Sequence, residues 1–455
     1  MSDTIAAIAT GNVVSAIGIV RLSGADSIKI ASSIFHPSSG KKLSDYPDRT
    51  LVLGLLQSAN GETLDHCLCT VSRAPNSYTG ENTAEFHCHG SPTVLRLALE
   101  ALFSRGARQA LPGEFTKRAF LNGRMDLTQA EAVIDLIESD TSEAAKNAAG
   151  QLGGAILRRT EAIYAELVDI ISHYHAVLDY PDEEIDEFRM EAYTGTLEKA
   201  RGELMALLAS FERGKVMKSG VKAAIVGRPN AGKSSLLNAL VGYERAIVTA
   251  VPGTTRDTLE EGVTIGGIKL LLTDTAGLRG TEDPIEQMGI ERAMGAAIAS
   301  ELVLAVFDGS QELSPEDSQA IEAAKTAKRS IAVINKSDLP QKLDTFAIGS
   351  SFEIVCPVSA LDRTGLEALD EAVASLFPLP NTPAGEIITN SRHADAVKRA
   401  LSAIDEAIMA MKSQATPDIV LTEAEMALSA LGELSGKTVR EDVTRRIFER
   451  FCVGK

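Results

Sequence analysis

The sequence has 455 residues, 44% hydrophobic and 24% charged, an ordinary balance for a globular protein. The length calls for two to four domains, because one core rarely grows beyond ~250–300 residues. A formal charge of −17, no Trp and 4% aromatics argue against a broad basic surface with base-stacking platforms for nucleic acid. No apolar run approaches the ~20 residues of a membrane span, and the opening residues MSDTIAAIATGN lack a signal-peptide pattern, so a cytoplasmic location and no membrane partner are expected. Five cysteines, few and odd in number, suit a reducing compartment.

Residues 1–120 mix short apolar runs with turn signals and read as an α+β domain. Ala16–Leu22 and Leu51–Gln57 are predicted strands; Asn60-Gly61 is a hairpin turn with Leu64–Val71 as the return strand. Residues 92–104 form a helix opened by Pro92. From 121 to 215 the pattern turns helical. Thr128-x-x-Glu131 reads as a capping box before Ala132, Val133, Leu136 and Ile137. Further helices cover about 152–178 and 190–213, and Pro181 with the acidic run Asp182–Glu187 separates them. Strands and helices alternate over 216–380, and residues 381–455 are helical again, with a second capping box at Thr438-x-x-Glu441. The economical fold is a multi-domain α/β protein: an N-terminal α+β domain, then a discontinuous helical domain carrying an inserted doubly wound domain.

The inserted region carries the chemistry. Gly227-Arg-Pro-Asn230-Ala231-Gly232-Lys233-Ser234 matches G-x-x-x-x-G-K-[ST], with a predicted strand (Val221–Val226) before it and a helix opening at Ser235–Leu240 after it. The glycines let backbone N–H groups wrap phosphate oxygens, the helix dipole assists, Lys233 reaches the β/γ-phosphates and Ser234 holds Mg²⁺. The candidate contacts here are Asn230, Ala231, Gly232, Lys233, Ser234 and Ser235. Leu270–Thr273 reads as a strand ending in Asp274-Thr275-Ala276-Gly277, similar to the D-x-x-G element of GTPases. Ile331–Ile334 ends in Asn335-Lys336-Ser337-Asp338, similar to N-K-x-D. There a carboxylate accepts from guanine N1–H and N2–H₂, a donor pair that adenine lacks, so Asp338 selects GTP over ATP. Ser359-Ala360 follows a further strand, Glu353–Val358, and resembles the loop that touches guanine O6. Four motifs in order, each at the carboxyl end of a strand, are where doubly wound sheets bind ligands. Two details stand apart. Leu278 occupies the place where Ras-like proteins carry a water-orienting Gln. The stretch Thr249-Ala-Val251-Pro-Gly-Thr254-Thr255-Arg-Asp257 supplies a switch-like loop in which Thr255 is the second Mg²⁺ ligand. Asn230 can offer its side-chain oxygen to K⁺, whose charge stands where an arginine finger stands elsewhere.

These residues closely resemble the MnmE (TrmE) family of bacterial tRNA-modification GTPases. The resemblance rests on GRPNAGKSSLLNAL, VPGTTRD, DTAGLR, NKSD and the terminal Phe451-Cys-Val-Gly-Lys455. It rests equally on Val20-Arg21-Leu-Ser-Gly24, Ser77-Tyr-Thr-Gly-Glu81, Pro112-Gly-Glu-Phe115 and Ala119-Phe-Leu-Asn-Gly-Arg124-Met-Asp-Leu127. It spans the whole chain and implies a Ras-like GTPase domain inserted in the helical one. It also implies a homodimer formed through the N-terminal domain, which binds 5-formyltetrahydrofolate or 5,10-methylenetetrahydrofolate. Arg21, Glu81, Arg124 and Lys455 fall at the folate positions, and Arg124 stands where a Lys is also found. Asn230, Thr249, Val251 and Thr254 fall at the K⁺ ligands, and Glu286 falls at the position that orients water. G domains then pair in a K⁺-dependent way to hydrolyse GTP to GDP. With the FAD-dependent flavoprotein MnmG in a heterotetramer, the family modifies C5 of the wobble uridine of certain tRNAs. The family's Gly-rich N-terminal stretch reads Gly11-Asn-Val-Val-Ser-Ala-Ile-Gly18 here.

His66-Cys67-x-Cys69 and His87-Cys88-His89 look metal-like, but strand alternation sends neighbours to opposite faces and the C-x₂-C spacing of zinc sites is missing. Cys452 reads as a small buried hydrophobe, with a nucleophilic thiol as the alternative. The six Lys/Arg and three Asp/Glu of 437–455 read as a wet helical face. The competing reading is a ribosome-assembly or RNA-binding GTPase switch, which calls for a basic RNA-binding domain. A third is a folate-dependent one-carbon transferase with GTP purely regulatory.

Overall fold

The computed structural model describes residues 3–11, 13–180, 189–243, 261–272, 294–378, 382–438, 444 and 447–454. The chain divides into two compact units, Met1–Ile134 with Leu428–Lys455, and Asp135–Ala427.

The first unit is built on a seven-stranded sheet. Its strands are β1 (Ile5–Ile8), β2 (Ser15–Ser23), β3 (Phe35–Pro37), β4 (Val52–Gln57), β5 (Thr63–Ser72), β6 (Thr83–Gly90) and β7 (Arg108–Gln109), in the order β3-β4-β5-β6-β2-β1-β7. All neighbours are antiparallel except β1 and β7. Alternation gives the sheet two unlike faces. Val20, Leu22, Val71, Ala84 and Phe86 point into a core shared with Ile30 of α1 (Ser27–Ser32) and Leu95 and Leu102 of α2 (Pro92–Ser104). The intervening residues, Ile19, Arg21, Thr70, Glu85 and His87, form the other face.

Helices α3 (Glu114–Leu121) and α4 (Leu127–Ile137) follow. The capping box expected at Thr128 stands two residues earlier. Asp126 Oδ1 accepts from the N–H of Thr128 at 2.7 Å and of Gln129 at 3.0 Å, while Gln129 Oε1 accepts from the Asp126 N–H at 3.0 Å. These reciprocal bonds are those of a box at Asp126-x-x-Gln129. They start the helix at Leu127 and leave Glu131 buried inside it. Leu127 and Ala130 pack against Phe448 and Phe451, and Val453 forms an antiparallel bridge with Pro112. The last residues thus belong to the first unit.

The second unit starts with α5 (Ser142–Leu152), α6 (Ala155–Asp179), α7 (Thr194–Ala209) and α8 (Phe211–Ser219). The helix expected over 190–213 is therefore two, broken at Ser210. A six-stranded sheet follows: β8 (Val221–Val226), β9 (Glu261–Ile265), β10 (Ile268–Leu272), β11 (Leu302–Asp308), β12 (Arg329–Asn335) and β13 (Ile354–Pro357), in the order β13-β12-β11-β8-β10-β9. Only the β9–β10 pair is antiparallel. Helices α9 (Lys233–Tyr243), α10 (Asp317–Thr326), α11 (Thr345–Gly349) and α12 (Leu366–Leu376) accompany it. Both faces are covered, as a parallel sheet requires. Along β11, Leu302, Leu304 and Val306 enter one core with Leu236 and Leu369; Val303, Ala305 and Phe307 enter the other with Ala320 and Phe352. The chain closes with α13 (Ser391–Lys412) and α14 (Pro417–Ser435). Among the described residues no helix is long and apolar enough to cross a membrane.

Where the chain leaves the sheet, residues 385–388 are tied to helices that precede it. Asn147 Oδ1 accepts from the Gly385 N–H at 2.8 Å, Gln151 Nε2 donates to Ile387 O at 2.6 Å, and Ser210 Oγ accepts from the Ile388 N–H at 3.1 Å. A Cβ at Gly214 would lie 2.0 Å from Ile388 O, so only glycine permits this approach. Gly214→Ala is expected to destabilise the second unit by about 1–3 kcal/mol through forced displacement of that backbone. Gly202→Ala, where a Cβ meets nothing within 4 Å in α7, should stabilise by about 0.5–1 kcal/mol. Urea unfolding followed by circular dichroism checks both signs.

Candidate functional site

The phosphate-type loop runs from the end of β8 to the start of α9. Asn230 and Gly232 have φ of +61° and +95°, so the loop doubles back and sets the N-terminus of α9, the positive end of its dipole, at the turn. Gly232 is required on two counts: its φ, and a Cβ that would lie 2.0 Å from Asn335 Nδ2. Lys233 Nζ donates to Gly227 O and Arg228 O, both at 2.9 Å, across its own loop. Burial holds its ammonium below the ordinary lysine range, a penalty that an arriving anion would offset. Ala231 is buried beneath the turn, while Asn230, Ser234 and Ser235 are exposed at it.

Asn335, buried at the end of β12, joins three segments. Its Nδ2 donates to Ala231 O at 2.9 Å, its Oδ1 accepts from the Ala360 N–H at 3.1 Å, and its backbone carbonyl accepts from the Gly309 N–H at 2.9 Å. Lys336 adopts φ +62° and reaches back to Asp308 Oδ2 at 2.6 Å. Burial pushes the Asp308 carboxyl up, but the bonds from Lys336 and Ser310 outweigh it and hold the group below its ordinary value. Its stabilising contribution is present above the ordinary value of 3.8 and is lost as pH falls through the lowered one. Ser359 exchanges backbone bonds with Thr364 at 3.0 and 3.2 Å, which closes the loop bearing Ala360. Asp338 is exposed beside it. The two loops meet at the carboxyl ends of β8, β12 and β13, the crevice where such sheets bind ligands. Thr249, Val251, Thr254, Thr255, Asp274, Thr275, Ala276, Gly277, Glu286 and Lys455 lie outside the described residues, as do Asp182–Glu187 and Glu441.

A second site lies in the first unit, on the sheet face opposite α1 and α2, beside Phe115 of α3. Arg21, Glu85 and Thr70 stand abreast on β2, β6 and β5, and Ile19, His87 and Leu68 form the next row. Arg21 Nε donates to Glu85 Oε1 at 2.7 Å, and its guanidinium lies 5.6 Å from the Tyr78 ring centre. The surrounding cavity of about 300 Å³ is also lined by Arg49, Thr70 and His87. Glu81, which the family resemblance sets among the folate residues, accepts from Ser23 Oγ at 2.7 Å and Arg118 Nη1 at 2.9 Å, while Arg21 is paired with Glu85. Glu81 precedes β6, in a turn where strand alternation does not apply. Arg124 is exposed, its side chain against Gly80. Cys67 and Cys88 are buried under α2, and their sulfurs and an Asp65 oxygen lie within 4.8 Å of one another. The hydrogen bond to Cys67, followed by burial, pushes the Cys88 thiol well up, and Asp65 is engaged by His89 through its N–H at 2.8 Å and Nδ1 at 2.7 Å. Cys452 is exposed rather than buried as expected.

A phosphate loop heading a helix, clamped to a guanine-type loop at the carboxyl ends of a doubly wound sheet, defines a P-loop nucleotide-binding protein. Two family models match the chain: the MnmE helical domain over residues 127–452, and the N-terminus of the GTP-binding protein TrmE over residues 4–124. The tRNA modification GTPase MnmE of Alkaliphilus metalliredigens is 40% identical, with 100% of both chains covered. That of Roseiflexus sp. is 41% identical over 100% of this chain and 99% of its own. The solved G domain of the T. maritima FeoB iron transporter is 29% identical, covering 34% of this chain and 97% of that one, with a TM-score of 0.26. The chain belongs to the MnmE family of tRNA modification GTPases and is a GTP-hydrolysing enzyme. Asn335→Ala, which removes both side-chain bonds of the clamp, is expected to weaken guanine-nucleotide binding at least ~10-fold, since two buried bonds of about 1 kcal/mol each are lost. Titration with a fluorescent GDP analogue measures it.

Proposed function

We propose that the chain is the GTPase component of an enzyme that modifies C5 of the wobble uridine, position 34, of certain tRNAs. With MnmG it adds a carboxymethylaminomethyl or aminomethyl group whose one-carbon unit comes from a tetrahydrofolate. The observation that carries this reading is the Arg21–Glu85 pair in the first unit's cavity. A ribosome-assembly switch gives that polar pocket no role. The exposed Ile17, Leu51 and Leu53 on the same unit support a homodimer formed there.

At the nucleotide, Asp338 accepts from guanine N1–H and N2–H₂, and the Ser359-Ala360 loop meets O6. Lys233, tied to two loop carbonyls, exchanges them for phosphate oxygens. Thr275, Ala276 and Gly277 follow Asp274 around the γ-phosphate. The exposed hydroxyl of Ser234 on the first turn of α9 and the exposed amide of Asn230 are oxygen donors that suit hard cations. Ser234 and Thr255 would hold Mg²⁺; Asn230 with Thr249, Val251 and Thr254 would hold K⁺. Both ions supply positive charge against the developing phosphate charge. Leu278 cannot orient water, so Glu286 takes that role. Around the folate, Arg21, Arg124 and Lys455 meet its anionic and acyl oxygens, and Glu81 accepts from the pterin N–H groups, while Glu85 holds the Arg21 guanidinium in place.

GTP hydrolysis in KCl should exceed that in NaCl at equal ionic strength by at least ~10-fold, and Glu286→Ala should abolish the difference. Equal rates in both salts would remove the K⁺ assignment. For the folate site, Glu81→Gln should weaken 5-formyltetrahydrofolate binding by at least ~10-fold in calorimetry, a charged acceptor being worth about 1.5–3 kcal/mol. A larger loss in Glu85→Gln than in Glu81→Gln would move the role to Glu85.

A further inference from the structure

Two cysteines and a carboxylate meet on the core face of the first unit's sheet. Cys67 of β5 and Cys88 of β6 lie opposite one another, one step beyond the Leu68–His87 pair of their ladder. Asp65, two residues before Cys67, stands on the same face. The two sulfurs and an Asp65 oxygen all lie within 4.8 Å of one another. Cysteine is often only a small core residue, and Cys69, opposite Phe86 in the apolar core, fits that description. Asp65 does not. Its side chain is only 9% exposed, and a carboxylate set against two thiols at the edge of an apolar core is no packing group. His89 fixes it, with the backbone N–H 2.8 Å from Oδ2 and Nδ1 2.7 Å from Oδ1. Gly54 and Gly18 flank the cysteines in the same row and are overlaid by Phe35 and Leu95. The sulfurs therefore sit under an apolar roof that excludes water.

We propose that Asp65, Cys67 and Cys88 bind a divalent metal ion of the Zn²⁺ type. Two thiolates and a carboxylate oxygen are a donor set for Zn²⁺; a magnesium-type ion calls for oxygens alone, and Cu⁺ for sulfur without the carboxylate. Tetrahedral Zn²⁺, with about 2.3 Å to sulfur and about 2.0 Å to oxygen, sets its ligand atoms roughly 3.5–3.8 Å apart, so the three close onto the ion by about 1 Å. Each thiol gives its proton to solvent as its bond to the metal forms. Each oxygen of Asp65 keeps a lone pair beyond the one that His89 engages, and His89 holds the carboxylate towards the sulfurs. Water takes the fourth position from the Asp65 side, where the His89 ring is exposed. The ion staples β5 to β6 beneath α2, on the face opposite the Arg21 cavity.

The test is titration of the full chain, stripped of metal and kept reduced with a phosphine, with Co²⁺ and then Zn²⁺, followed by absorption. One Co²⁺ per chain should give a thiolate-to-metal charge-transfer band and the visible bands of a tetrahedral site, and Zn²⁺ should bleach both. Co²⁺ at the nucleotide site meets oxygens only and gives no thiolate band. Cys67→Ala and Cys88→Ala should abolish the signal, and Asp65→Asn should weaken Zn²⁺ binding by at least ~10-fold. Cys452→Ala, at the exposed thiol, should leave the signal intact. No thiolate band in wild type, a band that survives Cys88→Ala or disappears in Cys452→Ala, or unchanged affinity in Asp65→Asn would overturn the proposal. If a cysteine variant fails to fold, X-ray absorption at the zinc edge of loaded wild type decides. Two sulfurs at about 2.3 Å support the site, and a shell of oxygen and nitrogen alone overturns it.

Discussion

One buried amide holds the nucleotide half of the molecule together. Asn335 is bonded at its nitrogen to the phosphate loop, at its oxygen to the loop after β13, and at its backbone carbonyl to the end of β11. A side chain with one donor group and one acceptor can do this only if the strands that deliver the three loops are in register. That register comes from β11 and β12, whose residues are buried on both faces and pair along their full lengths. The close contact also dictates Gly232, because any side chain there would strike the amide. Lys336 and Asp308 brace the same junction, so the exposed Asp338 is presented from a fixed base.

The first unit uses strand alternation differently. Its inward residues bury an apolar core under α1 and α2; its outward residues assemble a charged, partly enclosed pocket. A network of ion pairs braces the same unit. Arg118, nearly buried, binds Asp3, Glu81 and Glu114, and Arg108 binds Asp3 and Glu114. Those bonds tie the start of the chain, the turn before β6 and α3 to one another, leaving Arg21 and Glu85 to face the cavity.

Much of this was legible in the residues. Val221–Val226 and the 92–104 helix are reproduced at the predicted bounds, and β2, β4, β5 and β12 within a residue or two, because hydrophobic runs there end at strong turn or cap signals. The loops at the nucleotide site followed from motifs whose spacing is chemical. Helix α5 did not announce itself. Ser142–Leu152 is rich in Ala and carries Asn147 and Gln151 on its buried face, so no apolar stripe marks it. Their role emerges only when Gly385 and Ile387 return 236 or more residues later. The Arg21–Glu85 pair was legible too, because the alternation of Thr83–Gly90 places Glu85 and His87 together on one face, abreast of Arg21 and Ile19. Cys67 and Cys88, set aside on their spacing along the chain, do converge, through strand pairing that no local spacing reveals.

The most direct test of the clamped guanine site is competition for a bound fluorescent GDP analogue by GTP, ATP and xanthosine triphosphate, in wild type and Asp338→Asn. If Asn335 sets the base-reading loop as described, GTP displaces the probe from wild type and ATP does not. The variant then loses GTP and gains xanthosine triphosphate, whose 2-oxo group accepts from the new amide. Equal competition by ATP in wild type, or an Asp338→Asn protein that still prefers GTP, would contradict the account.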